Sequence, residues 1–202
     1  MLQQAWAYFL YLLGMVMEAI TVCEHAGKLS PNDLDRKQFP SQYYGDWYFI
    51  AAAASKISPS LEAYTMVDNT LFNINEETRP DRLLLRAAIR IKDGSCMPRE
   101  WIYLVSEDSV DLGTEGRPDR NTELFASNCS SCIIMQESDP HIIRRLLLFS
   151  RSSHLDQRYI DDFKKKADCA GMHKLLVMPR AQEYCELQPT KGKRKSKKTS
   201  HE

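Results

Sequence analysis

Eight apolar-rich segments follow one another at intervals of about 10–15 residues, and turn formers rather than helices separate them. This spacing constrains the fold more than any motif in the chain. The segments are GDWYFIAAAAS (45–55), AYTMVDNTLFNI (63–74), DRLLLRAAIRIK (81–92), CMPREWIYLV (96–105), DSVDLGTE (108–115), TELFASN (122–128), CIIMQE (132–137) and IIRRLLLFSR (142–151). The third alternates, with Leu83, Leu85, Ala87, Ile89 and Ile91 on one face and Arg82, Arg86, Arg90 and Lys92 on the other. Such a strand has one dry side and one wet side, as in antiparallel sheets. Strands joined this closely form a meander, and closing the meander into a barrel removes its exposed edges. The predicted fold is all-β: an eight-stranded antiparallel up-and-down barrel. One helix follows over Asp156–Ala167, stopped by Gly171, and then a short strand, KLLVM (174–178).

The fourth segment raises a question of charge. Side chains alternate across a strand, so Met97, Arg99, Trp101, Tyr103 and Val105 share a face opposite Cys96, Pro98, Glu100, Ile102 and Leu104. If the aromatic face is the inner one, Arg99 enters with it. An ionised guanidinium in an apolar lumen is costly without an anion, and its planar fork matches phosphate oxygens. Arg117, on the connection GRPD, would complete a two-arginine clamp. The bland alternative is that Arg99 reaches solvent or pairs with an acid. Glu137 shares the parity of Ile133 and Met135. Arg145 and Phe149 share that of Leu147 and Arg151, a face that mixes cations with apolar groups, although Arg145 reads more readily as a rim residue. Leu83, Leu85, Ile89 and Met66 are candidates to line an apolar lumen.

The termini differ from the body. Residues 1–22 are signal-like: AWAYFLYLLGMVM (5–17) is apolar and ends at Glu18. As a helix it would span roughly 20 Å, short of a bilayer core of about 30 Å. Its length suits a secretory signal, but no lysine or arginine precedes it and Glu-Ala-Ile-Thr-Val is a poor cleavage site. Residues 189–202 form a basic tail, with six Lys or Arg and one acid in the last twelve positions. The remaining 190 residues carry 21 basic and 26 acidic side chains. An acidic body argues against a nucleic-acid partner. Six cysteines in a chain bound for an oxidising lumen read as disulfides. The histidines (His25, His141, His154, His173, His201) lack metal-ligand spacing, so neither metal nor cofactor is expected. Cys129-Ser-Ser-Cys132 has redox-motif spacing, but it lies between strands rather than at a helix N-terminus.

Gly45-Asp46-Trp47 on the first strand, with Arg151 closing the eighth, resembles the lipocalin pattern in which an arginine packs over that tryptophan. The blocks VDNTLFN, RIKDGSCMPREWIY, TEGRPD, TELF and PRAQEYCEL are similar to the apolipoprotein M family of lipocalins. The resemblance implies a secreted, monomeric carrier domain over 23–188 that holds sphingosine-1-phosphate or a related lysophospholipid. It also implies a retained signal segment that anchors the protein in lipoprotein particles such as HDL. The family's phosphate contacts fall on Arg99, Trp101 and Arg117, its amine-binding acid on Glu137, and further polar contacts on Arg145 and Phe149; Tyr103, on the same strand face as Arg99 and Trp101, joins them as a ligand-binding candidate. Phenylalanine departs from the family's tyrosine at 149. The implied bridges are Cys23–Cys169, Cys96–Cys185 and a third from Cys129 to position 159. Tyr159 stands at that position here, so Cys129–Cys132 becomes the expected third pair. Two other classes stay open. One is a lipocalin-type isomerase, which would need a free cysteine in the cavity; the other is an interaction barrel with a filled interior.

Overall fold

Alternating side chains and short turns produce a closed barrel in the computed structural model, which describes residues 6, 8–9, 23, 25–33, 40–79, 81–106, 109–140 and 144–188. The basic tail lies outside the described residues, as does the apolar segment 1–22 apart from Trp6, Tyr8 and Phe9. The strands are β1 (Gly45–Ala54), β2 (Val67–Glu76), β3 (Arg82–Ile91), β4 (Cys96–Ser106), β5 (Ser109–Thr114), β6 (Arg117–Phe125), β7 (Cys132–Ser138) and β8 (Arg144–Ser150). Helix α1 (Gln157–Cys169) and β9 (Lys174–Val177) follow. Sequential neighbours pair antiparallel from β2 to β8, and β1 closes the ring. One edge of β1 takes β8. Its other edge takes β2 along Gly45–Tyr48 and β9 along Ala51–Ala54.

A bulge at Ile50 sets which side of β1 faces inward. Phe49, Ala52 and Ala54 join the lumen-side core, whereas Ile50, Ala51 and Ala53 join the layer beneath α1. All four alanines are fully buried, so the strand is packed on both faces and only small side chains fit. Helix α1 lays Ile160, Phe163 and Ala167 on that outer layer. Asp156 caps it by accepting the Arg158 N–H at 3.0 Å, and Gly171 leaves it at φ +75°.

At the closed end the Arg151 guanidinium lies 3.8 Å from the Trp47 ring centroid. It donates to the main-chain carbonyls of Asp46 and Gln42, both at 2.9 Å. The Trp47 indole donates to Tyr43 O at 2.8 Å. Gly45 sits beside this stack at φ +91°, where a Cβ would meet Arg151 Nη1 at 3.4 Å.

Two stretches depart from the sequence expectation. Residues 59–64 form a 3-10 helix instead of opening β2, because Pro59 starts a turn whose Ser58 hydroxyl accepts the Ser60 N–H. Met66 therefore falls in the following turn, 58% exposed, and does not line the lumen. Strand β6 starts at Arg117 rather than Thr122, since the turn needs only Glu115-Gly116, with Gly116 at φ +73°. The ladder then breaks between Thr114–Arg117 and Gly113–Asn121, leaving Pro118–Arg120 as a bulge where proline needs no donor. Arg117 thus opens a strand and does not sit on a connection.

Three disulfides join Cys23–Cys169, Cys96–Cys185 and Cys129–Cys132. The second fastens a C-terminal strap whose course is set by Asp68, which accepts the Ala181 and Gln182 N–H groups at 3.3 and 3.0 Å. Cys96–Cys185 spans 89 residues and Cys129–Cys132 only three. Replacing the first pair by alanine is expected to cost about 2–5 kcal/mol, and replacing the second much less, because loop-closure entropy grows with loop length. Urea unfolding of the two variants checks this ordering.

Candidate functional site

The barrel encloses a cavity of about 690 Å³, within the usual range of roughly 300–1,000 Å³ for small-molecule sites. Its walls are mostly apolar, from Phe49, Phe72, Leu85, Ile89, Met135 and Leu147, with Trp47 and Ile74 further along. Leu83 is also buried in the core but belongs beneath this lining. An aromatic belt crosses the lumen. The Phe149 ring lies 5.4 Å from Phe49 and 5.2 Å from Phe72, and Phe72 lies 5.9 Å from Trp101. The Phe149 side chain has no polar atom, so it serves as apolar wall and offers no hydrogen bond in place of the family's tyrosine.

The β7–β8 register sets Glu137 directly opposite Arg145. Arg145 Nε donates to Glu137 Oε2 at 2.9 Å, and Nη2 reaches the same oxygen. Nη1 donates to Ser60 O at 3.1 Å, and the guanidinium lies 4.8 Å from the Tyr64 ring centroid. Arg145 is thus no rim residue. Its side chain is 12% exposed, neutralised by Glu137, and fastens the 3-10 helix over the lumen. Glu137 is only 8% exposed, which excludes a surface carboxylate. Both bonds fall on one oxygen, so Oε1 takes none among the described residues.

Tyr64 and Tyr103 line the same space. Burial raises both phenols well above the usual tyrosine value, and the Glu137 carboxylate adds to the rise. Since the folded state holds these protons more tightly than the unfolded chain, their contribution to stability is complete below about pH 10 and lost as pH rises further. An alkaline titration followed by phenolate absorbance should show two tyrosines that ionise only as the barrel unfolds.

Arg99 and Arg117 are exposed at the mouth, where both border the cavity with Glu100. Strand β4 pairs with β5 only from Tyr103 onward, so the strand edge around Arg99 is open on that side. Trp101 and Tyr103 continue the same face inward, as the alternation requires. Three other arginines of the barrel are tied down: Arg82 to Glu115 at 2.6 Å, Arg86 to Asn73 at 3.1 Å, Arg90 to the Glu183 carbonyl at 2.9 Å. Arg99, Arg117 and Arg120, all at the cavity, hold no hydrogen bond or ion pair among the described residues.

Sequence reasoning does not single out Tyr64, which falls in the predicted second strand, or Arg120, which falls between the GRPD connection and the predicted sixth strand. Both positions become visible only once the 3-10 helix and the full extent of β6 are known. All six cysteines are bridged, so the free cavity thiol that an isomerase would need does not exist. The open interior likewise removes the filled-barrel alternative.

The family model of the ApoM domain matches residues 1–189. Apolipoprotein M of Rattus norvegicus is 38% identical over 189 residues, covering 93% of this chain and 98% of that protein. The chain belongs to the apolipoprotein M family. The Mus musculus apolipoprotein M matches with the same identity and coverage. Among solved structures, siderocalin Q83 superposes with a TM-score of 0.59 at 20% identity, over 73% of this chain and 95% of that one. Lipocalin 12 from rat epididymis gives 0.59 at 11% identity, over 78% and 91%. These likenesses carry the lipocalin fold, and the apolipoprotein M match spans the barrel together with its C-terminal strap.

Proposed function

We propose that this protein is a secreted carrier of a single-chain phospholipid, with sphingosine-1-phosphate as its ligand. The observation that carries the reading is an apolar cavity whose mouth holds two arginines, Arg99 and Arg117, without anionic partners among the described residues. The alkyl chain occupies the aromatic and aliphatic lumen, where burial contributes about 0.8 kcal/mol per methylene. The phosphate takes Arg99, Arg117 and the Trp101 indole, each charge-assisted bond adding about 1.5–3 kcal/mol. The ligand amine takes Glu137 Oε1, the oxygen that Arg145 leaves available, with Tyr103 and Arg145 bordering it. Affinity comes mainly from the chain and selectivity from the head.

The segment 1–22 is retained as an anchor in the lipid surface of lipoprotein particles. Its poor cleavage site supports this, and so does the Cys23–Cys169 bridge, which ties the end of the segment covalently to α1. Three disulfides suit an extracellular setting. Native mass spectrometry of the protein secreted from cells tests the proposal. The expected species is a 1:1 adduct with the mass of sphingosine-1-phosphate on a polypeptide that still carries residues 1–22. A lipid-free protein that also takes up no added sphingosine-1-phosphate would overturn the carrier reading. A mass lacking the N-terminal residues would overturn the anchor.

A further inference from the structure

We infer that Arg120 is a third head-group arginine, set deeper than Arg99 and Arg117, and that it makes the cavity select a doubly charged phosphomonoester over a singly charged phosphodiester or carboxylate. This inference rests on the carrier reading. Arg120 ends the Pro118–Arg120 bulge of β6, where the ladder to β5 is interrupted. It shares the inward parity of Thr122 and Leu124, and its side chain borders the cavity. Arg120 is half-buried, whereas the two mouth arginines are exposed. Its Nε is sealed from solvent and meets no acceptor among the described residues.

The acids lining the cavity do not compensate it. Glu137 is engaged by Arg145 and Glu115 by Arg82, which leaves Glu100, exposed at the mouth. Among the described residues, three unpaired guanidinium groups facing one free carboxylate leave the cavity with an excess of positive charge. A buried donor on a charged group is costly when unmet, and a ligand oxygen would satisfy it. The guanidinium fork suits phosphate geometry. A phosphomonoester carries about −1.5 to −2 at neutral pH because its second ionisation lies near pH 6, so it matches this excess better than a single charge does.

The test uses the full chain and the quenching of its tryptophans, two of which (Trp47 and Trp101) border the cavity. Three probes of equal chain length are titrated: sphingosine-1-phosphate, sphingosine-1-phosphocholine and the corresponding fatty acid. The unmodified protein should prefer the phosphomonoester at least about tenfold, and Arg120→Met should weaken that probe alone by about 10–100-fold, the worth of one charge-assisted bond. Arg120→Lys should recover part of the loss. The preference of the unmodified protein should grow several-fold from pH 5 to 7.5, as the second phosphate proton leaves, and this rise should flatten in Arg120→Met. Near-ultraviolet circular dichroism confirms folding of each variant, and Arg120→Gln replaces any that fails. Equal binding of all three probes by the unmodified protein, or a preference that survives Arg120→Met but not Arg99→Ala, overturns the inference and leaves the carrier intact. Binding of none of the probes overturns the carrier reading itself.

Discussion

Glu137→Gln is expected to destabilise the barrel by about 3 kcal/mol, the lower end for a broken buried pair, because it leaves the largely enclosed Arg145 guanidinium without its counter-charge. The two side chains are only 10 and 12% exposed, so water replaces the lost partner poorly. The variant also weakens the hold on the 3-10 helix, since Arg145 is positioned by Glu137 to reach Ser60 O and the Tyr64 ring. Replacing both partners by apolar residues, Glu137→Leu with Arg145→Met, should recover most of the loss. Removing a whole buried pair spares two desolvation costs at once, whereas removing half of it spares only one. Urea unfolding of the single and double variants measures both effects. A single variant within about 1 kcal/mol of the parent would mean that the pair behaves as a solvated surface bridge, for which such values are usual.

The second large effect concerns selectivity. Removing Arg99 and Arg117 together should weaken binding of sphingosine-1-phosphate by about 100-fold, taking the lower end of the worth of two charge-assisted bonds because both groups are exposed. Binding of unphosphorylated sphingosine should change little, since its chain and amine use other parts of the lumen. Added salt offers an independent check. At these exposed charges the phosphate contact is screened, so the parent's affinity should fall more steeply with ionic strength than that of the double variant. Equal loss for both ligands would mean that the two arginines shape the mouth without contacting phosphate.

Much of this architecture is legible in the chain. The alternation in β3 and β4 follows from a two-residue period. It put Leu85 and Ile89 on the lumen and aligned Arg99, Trp101 and Tyr103 along one face. Asp156 and Gly171 mark the ends of α1 by local chemistry alone. The Gly45-Asp46-Trp47 motif and Arg151 meet as the resemblance implies. In each case a residue and its immediate neighbours carry the information.

Other features needed the closed barrel. The run Phe49–Ala54 has no readable alternation, and the Ile50 bulge decides which alanines face the lumen because β1 must satisfy β8, β2 and β9 at once. Arg120 shares the inward parity of Thr122 and Leu124, but only the extension of β6 back to Arg117 makes it part of the barrel wall. Glu137 and Arg145 lie eight positions apart in the chain, and each alone reads as a free charge. Their mutual neutralisation, and the contrast with the unpaired Arg99, Arg117 and Arg120, depends on which strands become neighbours. Periodicity and caps are set by local backbone and solvent preferences, so sequence by itself determined the strands, the helix and the inward face of β4. Bulges and charge pairing are set by contacts between segments distant in the chain, so only the tertiary structure decided which charges in the lumen remain for a ligand.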